Sequence, residues 1–341
     1  MITTEFYEGQ GLGNQLWVYA VLRAIAKSNG ASFGIQSKHR FKGRDFINLD
    51  FGDKVFGISG KFPNKMKPLG IDKVFFEKRI IHKYEQFDIT PHNDEILRVT
   101  DRTKIEGNFQ SEALLVGIEE SVKVWFSHVL PPKIDNDVCI INFRGGEYKA
   151  HDNLLLGSNY YFNAVENMRN LHPNLSFAIV TDDPDFAHQY FPNFPIYSEP
   201  QRKNLIDKRA KVDLQKIGTD FGLIQHAKYL ILSNSSFSWW GAWTNSKAKI
   251  VIAPKYWARH NTSIGHWAVG SSLTKDWLWQ NRTGKLETYD ECYDQFQSFR
   301  CTPEYLSNIE ILNEWRHKID LVSLSKNYIY KKINILSKKI K

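Results

Sequence analysis

The sequence predicts an α/β fold built around a parallel sheet. Short apolar segments recur along the second half of the chain, and stretches with helical periodicity separate them, as expected of strand-helix-strand units. Of the 341 residues, 42% are hydrophobic and 14% are aromatic, so the chain is long enough and apolar enough to bury a sizeable core. These properties favour a globular protein over a disordered one.

The first readable element is a loop that runs into a helix. From Asn14 the apolar residues follow a helical period, and the segment KSNG at residues 27–30 supplies a basic last turn and a glycine stop. The preceding GQGLGNQ superficially resembles a dinucleotide-binding turn, but it lacks the third glycine and no well-formed strand precedes it. Asn14 and Gln15 better fit contact with phosphate or sugar hydroxyls across a cleft.

The middle of the chain divides into an unreadable part and a clear part. Residues 31–130 mix short apolar runs with basic, glycine-containing turns and predict no topology. After the linker-like LPPKIDND, we predict strands at VCIINF, SFAIV, YLILS and KIVIAP. We predict one helix capped by Ser158, one opened by Asp183 and Pro184, and one around residues 220–226.

The net charge indicates which classes of partner are possible, and the cysteine content indicates the cellular compartment. The formal net charge of +8 favours an anionic partner: a nucleotide diphosphate, an acidic membrane surface or a nucleic acid. Nucleic acid is disfavoured because basic and aromatic residues do not alternate along one face. The three cysteines lack metal-ligand spacing and indicate a reducing compartment. With no signal-peptide pattern and no apolar run of roughly 20 residues, we expect a cytoplasmic protein.

The last stretch of the chain is a basic helix candidate. Residues 322–341 combine periodic apolar positions with many lysines. One interpretation is a solvated surface helix. The other is peripheral attachment to the anionic inner face of a membrane.

Candidate site residues follow the predicted strands, because ligands bind beyond the carboxyl ends of parallel strands. After VCIIN, the sequence FRGGEY places Arg144 beside two glycines and Glu147. The guanidinium fork suits a diphosphate, and the alternative is a surface arginine paired with Glu147. After SFAIV, Asp182 and Asp183 stand where a sugar hydroxyl, a ribose or a metal could bind. Asp183 is explained as a helix cap, and adjacent acids followed by proline disfavour a metal site.

A third strand leads into the sequence NSSFSWWGAW. Asn234, Ser235 and Ser236 are expected at the start of a helix, with hydroxyls and free amides facing an anion. The alternative is that a serine only caps the helix while its aromatic residues pack the core, and both can hold. Asp220 lies on the preceding helix. It could accept hydrogen bonds from N1 and N2 of guanine, or it could be an ordinary helix-surface carboxylate.

These motifs together resemble glycosyltransferase family 11, the bacterial α-1,2-fucosyltransferases. The match consists of residues 10–15, QGLGNQ, with Tyr19 in the following helix, and of the unbroken signature NSSFSWWGAW at residues 234–243. The resemblance extends from about residue 9 to 254 and is thin between 31 and 130. The family pattern His-x-Arg-Arg-Gly-Asp-Tyr is altered here to Asn142-Phe-Arg-Gly-Gly-Glu-Tyr. The first arginine is kept as Arg144, and Gly145 replaces the second.

The resemblance implies a GT-B architecture, in which two Rossmann-like domains face each other across a cleft. It implies an acceptor-side domain at residues 1–130, a nucleotide-sugar-binding domain at 136–290 and a basic helical extension at 291–341. The implied substrates are a GDP-sugar, GDP-L-fucose in the family, and a surface glycan that a lipid could carry. Neither a metal nor another cofactor is implied. The residues implied to contact the donor are Gly11, Gly13, Asn14, Gln15, Asn142, Asp182, Asp220, Asn234, Ser235, Ser236 and Phe237.

The implied reaction is an inverting transfer in which Arg144, Ser235 and Ser236 neutralise the departing diphosphate. Our candidate for the general base is Glu147, with Glu8 and Asp182 as rivals, and the leaving phosphate itself is a further alternative. The altered motif leaves two other hypotheses open. One is a different GDP-linked sugar, such as another 6-deoxyhexose or a heptose. The other is a catalytically silent relative that binds GDP or a glycan.

Overall fold

The computed structural model describes residues 1–57, 70–77, 80–81, 88–89, 94–197, 214–263 and 273–303. Within these residues the strands form a parallel sheet, a larger and mostly parallel sheet, and one short antiparallel pair, with helices packed around them. The prediction of an α/β fold is confirmed. The last helix candidate, residues 322–341, lies outside the described residues, as does most of the extension that begins at 291.

The first sheet contains four parallel strands in the order β2-β1-β6-β3. In chain order the strands of this half are β1 Ile2–Glu5, β2 Phe33–Gln36, β3 Lys73–Phe76, the paired β4 Ile80–Ile81 and β5 Asp88–Ile89, and β6 Thr103–Glu106. Strand β1 directly precedes the opening loop, so the statement that no strand stands there is wrong. Its sequence, ITTE, does not look like a buried strand, because polar residues are buried in it. Thr4 Oγ1 donates to Ile105 O, and Lys104 Nζ lies 2.9 Å from Glu5.

Helix α1, Leu12–Ser28, follows the opening loop, and the predicted stop is confirmed. Asn29 occupies the C-cap position, and Gly30 takes a left-handed conformation with φ of 58°, which glycine adopts without steric cost. A shorter helix, α2 at Glu119–Trp125, ends the first half.

The second sheet contains six strands in the order β12-β11-β10-β9-β7-β8. All pairs are parallel except β11 with β12. The four predicted strands are confirmed as β7 Val138–Phe143, β8 Ser176–Thr181, β9 Tyr229–Ile231 and β10 Ile250–Pro254, and β11 Leu278–Gln280 and β12 Leu286–Glu287 extend the sheet. The carboxyl ends of β7, β8 and β9 therefore meet at one edge.

Five helices pack against this sheet: α3 Ser158–Leu171, α4 Pro184–Tyr190, α5 Leu214–His226, α6 Ser236–Trp243 and α7 Tyr289–Arg300. Asp183 caps α4 as predicted, because its side chain accepts a hydrogen bond from Phe186 N. The predicted Ser158 cap is wrong: Gly157 occupies the N-cap position and Ser158 is the first helical residue. The N-cap position is therefore filled by a glycine with extended φ and ψ, and no side-chain hydroxyl caps the helix.

Tryptophans join the two halves of the chain into one core. The Trp17 ring on α1 lies 4.5 Å from the Trp239 ring and 4.6 Å from the Trp240 ring on α6. Trp240 Nε1 donates to Gly13 O at 3.1 Å, and Trp240 is fully buried. Because these contacts connect the opening loop to the NSSFSWWGAW helix, the two motifs form one structural unit.

Buried His260 couples stability to pH. Its Nδ1 donates to Lys255 O at 3.0 Å, its ring packs against Tyr160, and burial lowers its pKa to about 4. An unfolded histidine binds its proton near pH 6.5, so between about pH 6.5 and 4 the unfolded chain holds a proton that the native state excludes. This histidine therefore contributes to a loss of stability as the pH falls through that window, by up to about 1.4 kcal/mol per pH unit.

Urea unfolding of the wild type and a His260→Gln variant at pH 7.5 and pH 5 measures this contribution. We expect the wild type to lose more stability between the two pH values than the variant does. The exposed His39→Gln is the matched control and should behave as the wild type. Equal losses in wild type and His260→Gln would contradict the assignment.

Candidate active site

A cavity of about 680 Å³ lies between the opening loop and the carboxyl ends of β7, β8 and β9. It brings together every predicted site residue except Gln15. These are Gly11, Gly13, Asn14, Asn142, Arg144, Glu147, Asp182, Asp220, Asn234, Ser235, Ser236 and Phe237. The strand-end argument succeeded because neighbouring parallel strands place their following residues at one edge.

Arg144 is the central cation of this cavity and is held by two carboxylates. Its guanidinium lies 2.6 Å from Asp182 and 3.2 Å from Glu147, and it packs 5.2 Å from the centre of the Tyr148 ring. The pairing with Glu147, which was the ordinary interpretation of this arginine, is present, and Arg144 also lines the cavity, as the diphosphate hypothesis requires. Arg144 Nε is buried and has no hydrogen-bond partner among the described residues.

Two glycines let the loop after β7 close over Asp182. Gly145 N donates to Asp182 Oδ1 at 3.0 Å, and a Cβ on Gly146 would overlap the other carboxylate oxygen. A Cβ on Gly145 would lie 2.9 Å from both Asp183 Cβ and Phe186 Cδ1. An arginine at 145, as in the family pattern, would therefore require α4 to move.

Asp182 and Asp183 serve separate contacts. Asp182 binds Arg144 and the Gly145 amide, whereas Asp183 caps α4 and pairs with Lys149. In the described part of the chain, His, Cys, Asp and Glu side chains form no group of three that could hold a metal ion.

The NSSFSWWGAW helix presents its first turn to the cavity. Ser235 occupies the N-cap position, yet neither its hydroxyl nor that of Ser236 makes a capping bond, so the interpretation of a serine that only caps is wrong. Ser236 Oγ instead donates to Asn14 Oδ1 at 3.0 Å. Asn234 Nδ2 donates to Leu154 O, and its Oδ1 is buried without a partner among the described residues. Free amides at a helix start favour an anion there, whereas the unused Asn234 Oδ1 is an acceptor that suits a donor such as a sugar hydroxyl.

The opening loop packs directly on that helix start. Asn14 Oδ1 accepts from Ser236 Oγ and from Gln110 Nε2 at 2.7 Å. A Cβ on Gly13 would lie 2.5 Å from Phe237 N and from Ser236 C. Glycine at 13 is therefore required for the close approach of the two halves.

Gln15 and Asn142 differ from their predicted roles. Gln15 is fully buried away from the cavity, where its side chain accepts from Lys42 N and donates to Arg40 O. Asn142 does line the cavity, but its amide is occupied within the sheet: it donates to Val180 O and accepts from Ser233 Oγ.

Helix α5 contributes one predicted and one missed residue. Asp220 is 6% exposed, so the interpretation as a helix-surface carboxylate is wrong. Lys216, one turn earlier on the same face, is also buried and lines the cavity. Its spacing of four residues from Asp220 was a usable signal. Lys42 and Gln110 also line the cavity, but they fall in the unreadable segment and carried no sequence signal.

The three candidate bases occupy different surroundings. Glu8 is exposed and is not part of the cavity wall. The Asp182 carboxylate is already bound by Arg144 and the Gly145 amide. The Glu147 side chain lines the cavity and is also paired with Arg144, but at 3.2 Å against 2.6 Å for Asp182, and it is 74% exposed. The geometry therefore favours Glu147 among the three.

Comparisons with known proteins agree with these motifs. Residues 132–279 match the family model of Glycosyl transferase family 11. An Alpha-1,2-colitosyltransferase of Escherichia coli is 25% identical over 287 residues, which cover 72% of this chain and 89% of that protein. The O-antigen biosynthesis glycosyltransferase WbnK of Escherichia coli is 27% identical over 145 residues, or 40% of this chain and 43% of that protein. The resemblance to family 11 is confirmed. No helix among the described residues has the length and apolar content needed to span a bilayer.

Proposed function

Because residues 132–279 form a glycosyltransferase family 11 domain and the chain is thus a glycosyltransferase, we propose that it transfers L-fucose from GDP-L-fucose to a hydroxyl of a bacterial surface glycan. The observation that carries the proposal is one cavity that joins Arg144, the serine-lined start of α6 and buried Asp220. The acceptor hydroxyl in this proposal is the 2-OH of a galactoside. An O-antigen is the acceptor class suggested by the name of one relative.

The leaving diphosphate is neutralised by Arg144 and by the first turn of α6. Arg144 offers a planar pair of donors, and the helix start offers free amides with the hydroxyl of Ser235, and with that of Ser236 once it turns away from Asn14 Oδ1. Donors held in place before the reaction stabilise the charge that develops on the leaving group. In this proposal they act without a metal ion.

Asp220 reads the guanine base. Its carboxylate is buried in the cavity wall, where it can accept from N1 and N2 of guanine. Asn14 and Gly11 approach the diphosphate and the sugar from the opposite half. The two sheets facing this cavity support a GT-B arrangement with an acceptor-side domain at 1–130 and a donor-side domain at 136–290.

Glu147 accepts the proton of the acceptor hydroxyl, which attacks the sugar from the face opposite the diphosphate. That attack inverts the anomeric centre, so a β-linked donor gives an α-linked product. The basic extension at 291–341 suits an acceptor carried by a membrane lipid, with the protein cytoplasmic and peripheral at the inner face of the membrane.

A second donor is supported by a specific observation. The relative that matches 72% of this chain is named for colitose and for an α-1,2 linkage. Together with Gly145 in place of the second arginine, this favours another GDP-linked deoxy sugar as the alternative donor.

Incubation of the purified protein with GDP-L-fucose, other GDP-sugars and a panel of galactosides tests the proposal. We expect GDP and a glycosylated product to accumulate together, and the product to show an α anomeric proton coupling by NMR. Activity should persist in EDTA. Binding of GDP without turnover on any donor and acceptor would support the silent relative, and no binding of any guanine nucleotide would refute the proposal.

A further inference from the structure

Lys42 is a cation of the cavity that no motif indicated. It lines the same wall as Arg144 but comes from the other half of the chain. The side chain is half-buried, and its ammonium makes no hydrogen bond or ion pair with any residue that the structure describes. Burial lowers the pKa of Lys42, the positive charge of Arg144 lowers it further, and Glu147 opposes both. The positive charges of Lys42 and Arg144 thus lie on the wall of the same cavity.

The charges around Arg144 show why a second cation matters. Arg144 is bound to Asp182 and Glu147, so this group of three side chains has a net charge of −1. Lys216 and Asp220 offset each other. A sugar nucleotide carries a negative charge on each phosphate. A cavity whose lining side chains have a negative net charge repels it. Among the described lining residues, Lys42 supplies the positive charge that brings the net formal charge of the cavity to zero.

Two hydrogen bonds from Gln15 hold the backbone that leads into Lys42. Gln15 Nε2 donates to Arg40 O at 2.9 Å, and Gln15 Oε1 accepts from Lys42 N at 2.9 Å. Between these two bonds, the buried Phe41 ring stacks on Phe6 at 5.6 Å. A residue held in advance loses less entropy when it binds a ligand. This clamp gives buried Gln15 a role that its predicted contact with the donor does not explain.

We propose that Lys42 is the second phosphate-binding cation of this site and that Gln15 is the positioning residue that delivers it from the first half of the chain. The proposal rests on the guanine nucleotide donor proposed above. It also accounts for Gly145, whose Cβ position is occupied by α4: the charge absent there enters the cavity from the opposite side.

Calorimetric titration of the full-length protein with GDP tests the role of Lys42. We expect Lys42→Met to weaken GDP binding about 10- to 100-fold, as for loss of a charged hydrogen bond, and Lys42→Arg to retain affinity within a few-fold. The exposed Lys38→Met is the matched control and should bind as the wild type. The wild type should also lose more affinity toward alkaline pH than Lys42→Arg does, because both lose the guanine N1 proton but only the wild type also loses the charge at position 42.

A double-mutant cycle tests Gln15. If Gln15 acts through Lys42, Gln15→Met should weaken GDP binding, and Gln15→Met with Lys42→Met should bind no more weakly than Lys42→Met alone. Additive losses would show that Gln15 supports only the general structure and would overturn its positioning role. Gln15→Glu, which still accepts from Lys42 N, should restore part of the affinity.

The outcomes separate the two proposals. If the folded wild type does not bind GDP, the proposed function fails. If the wild type binds GDP and Lys42→Met binds it equally well, Lys42 is not a phosphate ligand and the proposed function stands. Circular dichroism checks folding, and Lys42→Gln replaces the methionine variant if that variant is unfolded; equal GDP affinity in the neutral variant that folds overturns the inference.

Discussion

Arg144→Ala is expected to lower kcat about 100- to 1,000-fold while the protein stays folded. That range is typical when one preorganised donor to a developing negative charge is removed. Folding should survive because Asp182 keeps its hydrogen bond from Gly145 N and because the lost ion pairs are partly exposed. Steady-state kinetics with the donor and acceptor identified by the assay above, together with thermal melting, measure both effects.

Two further variants sharpen this result. Arg144→Lys keeps the charge but loses the planar fork, so its kcat should fall between those of Arg144→Ala and the wild type. Arg169→Ala removes an exposed arginine of α3 that does not line the cavity, and its kcat should match the wild type. Near-normal turnover of a folded Arg144→Ala would refute the leaving-group role of this arginine.

Gly13→Ala is expected to destabilise the protein by about 2–3 kcal/mol, the upper part of the range of about 1–3 kcal/mol that is typical of forcing an atom into a packed core. The new Cβ would lie 2.5 Å from Phe237 N and Ser236 C, and backbone atoms cannot rotate away. Helix propensity acts in the opposite direction, since alanine is favoured over glycine by up to about 1 kcal/mol inside a helix. A net loss therefore reports contact between the two halves of the chain. Urea unfolding measures it.

Gly11→Ala is the matched control for that measurement. It lies two residues earlier, a Cβ there would meet no atom within 4 Å, and its φ of −68° suits any residue. We expect a loss of at most about 1 kcal/mol, because alanine is a poorer helix N-cap than glycine. If Gly13→Ala were as stable as Gly11→Ala, the close packing of the opening loop on α6 would be wrong.

The second half of the chain was predictable because its signals are local. The strands β7 to β10 are short apolar runs, and a buried strand of this kind can be recognised within a window of a few residues. Once a parallel sheet was inferred, Arg144, Asp182 and Asn234 had to share one edge. Their side-chain partners were not predictable to the same degree, as the occupied amide of Asn142 shows.

The first half of the chain was not predictable because its polar residues pair across long separations in the sequence. Strand β1 buries Glu5 against Lys104, so its pattern does not show the usual alternation. Lys42 lines the cavity, and its backbone amide donates to Gln15 on a different element. Neither pairing can be recognised from the residues that are near in the sequence.

By itself the sequence determined the α/β class, four of the six strands of the second sheet, the resemblance to family 11 and about half of the residues that line the cavity. The tertiary structure alone decided that Gln15 holds Lys42, that Gly145 has no room for a side chain and that Asn14 meets Ser236, 222 residues away. The physical reason is the distance along the sequence over which each kind of interaction acts. Periodicity and turn chemistry act between neighbours along the chain, whereas these contacts depend on how two distant packed surfaces meet, which no spacing in the sequence records.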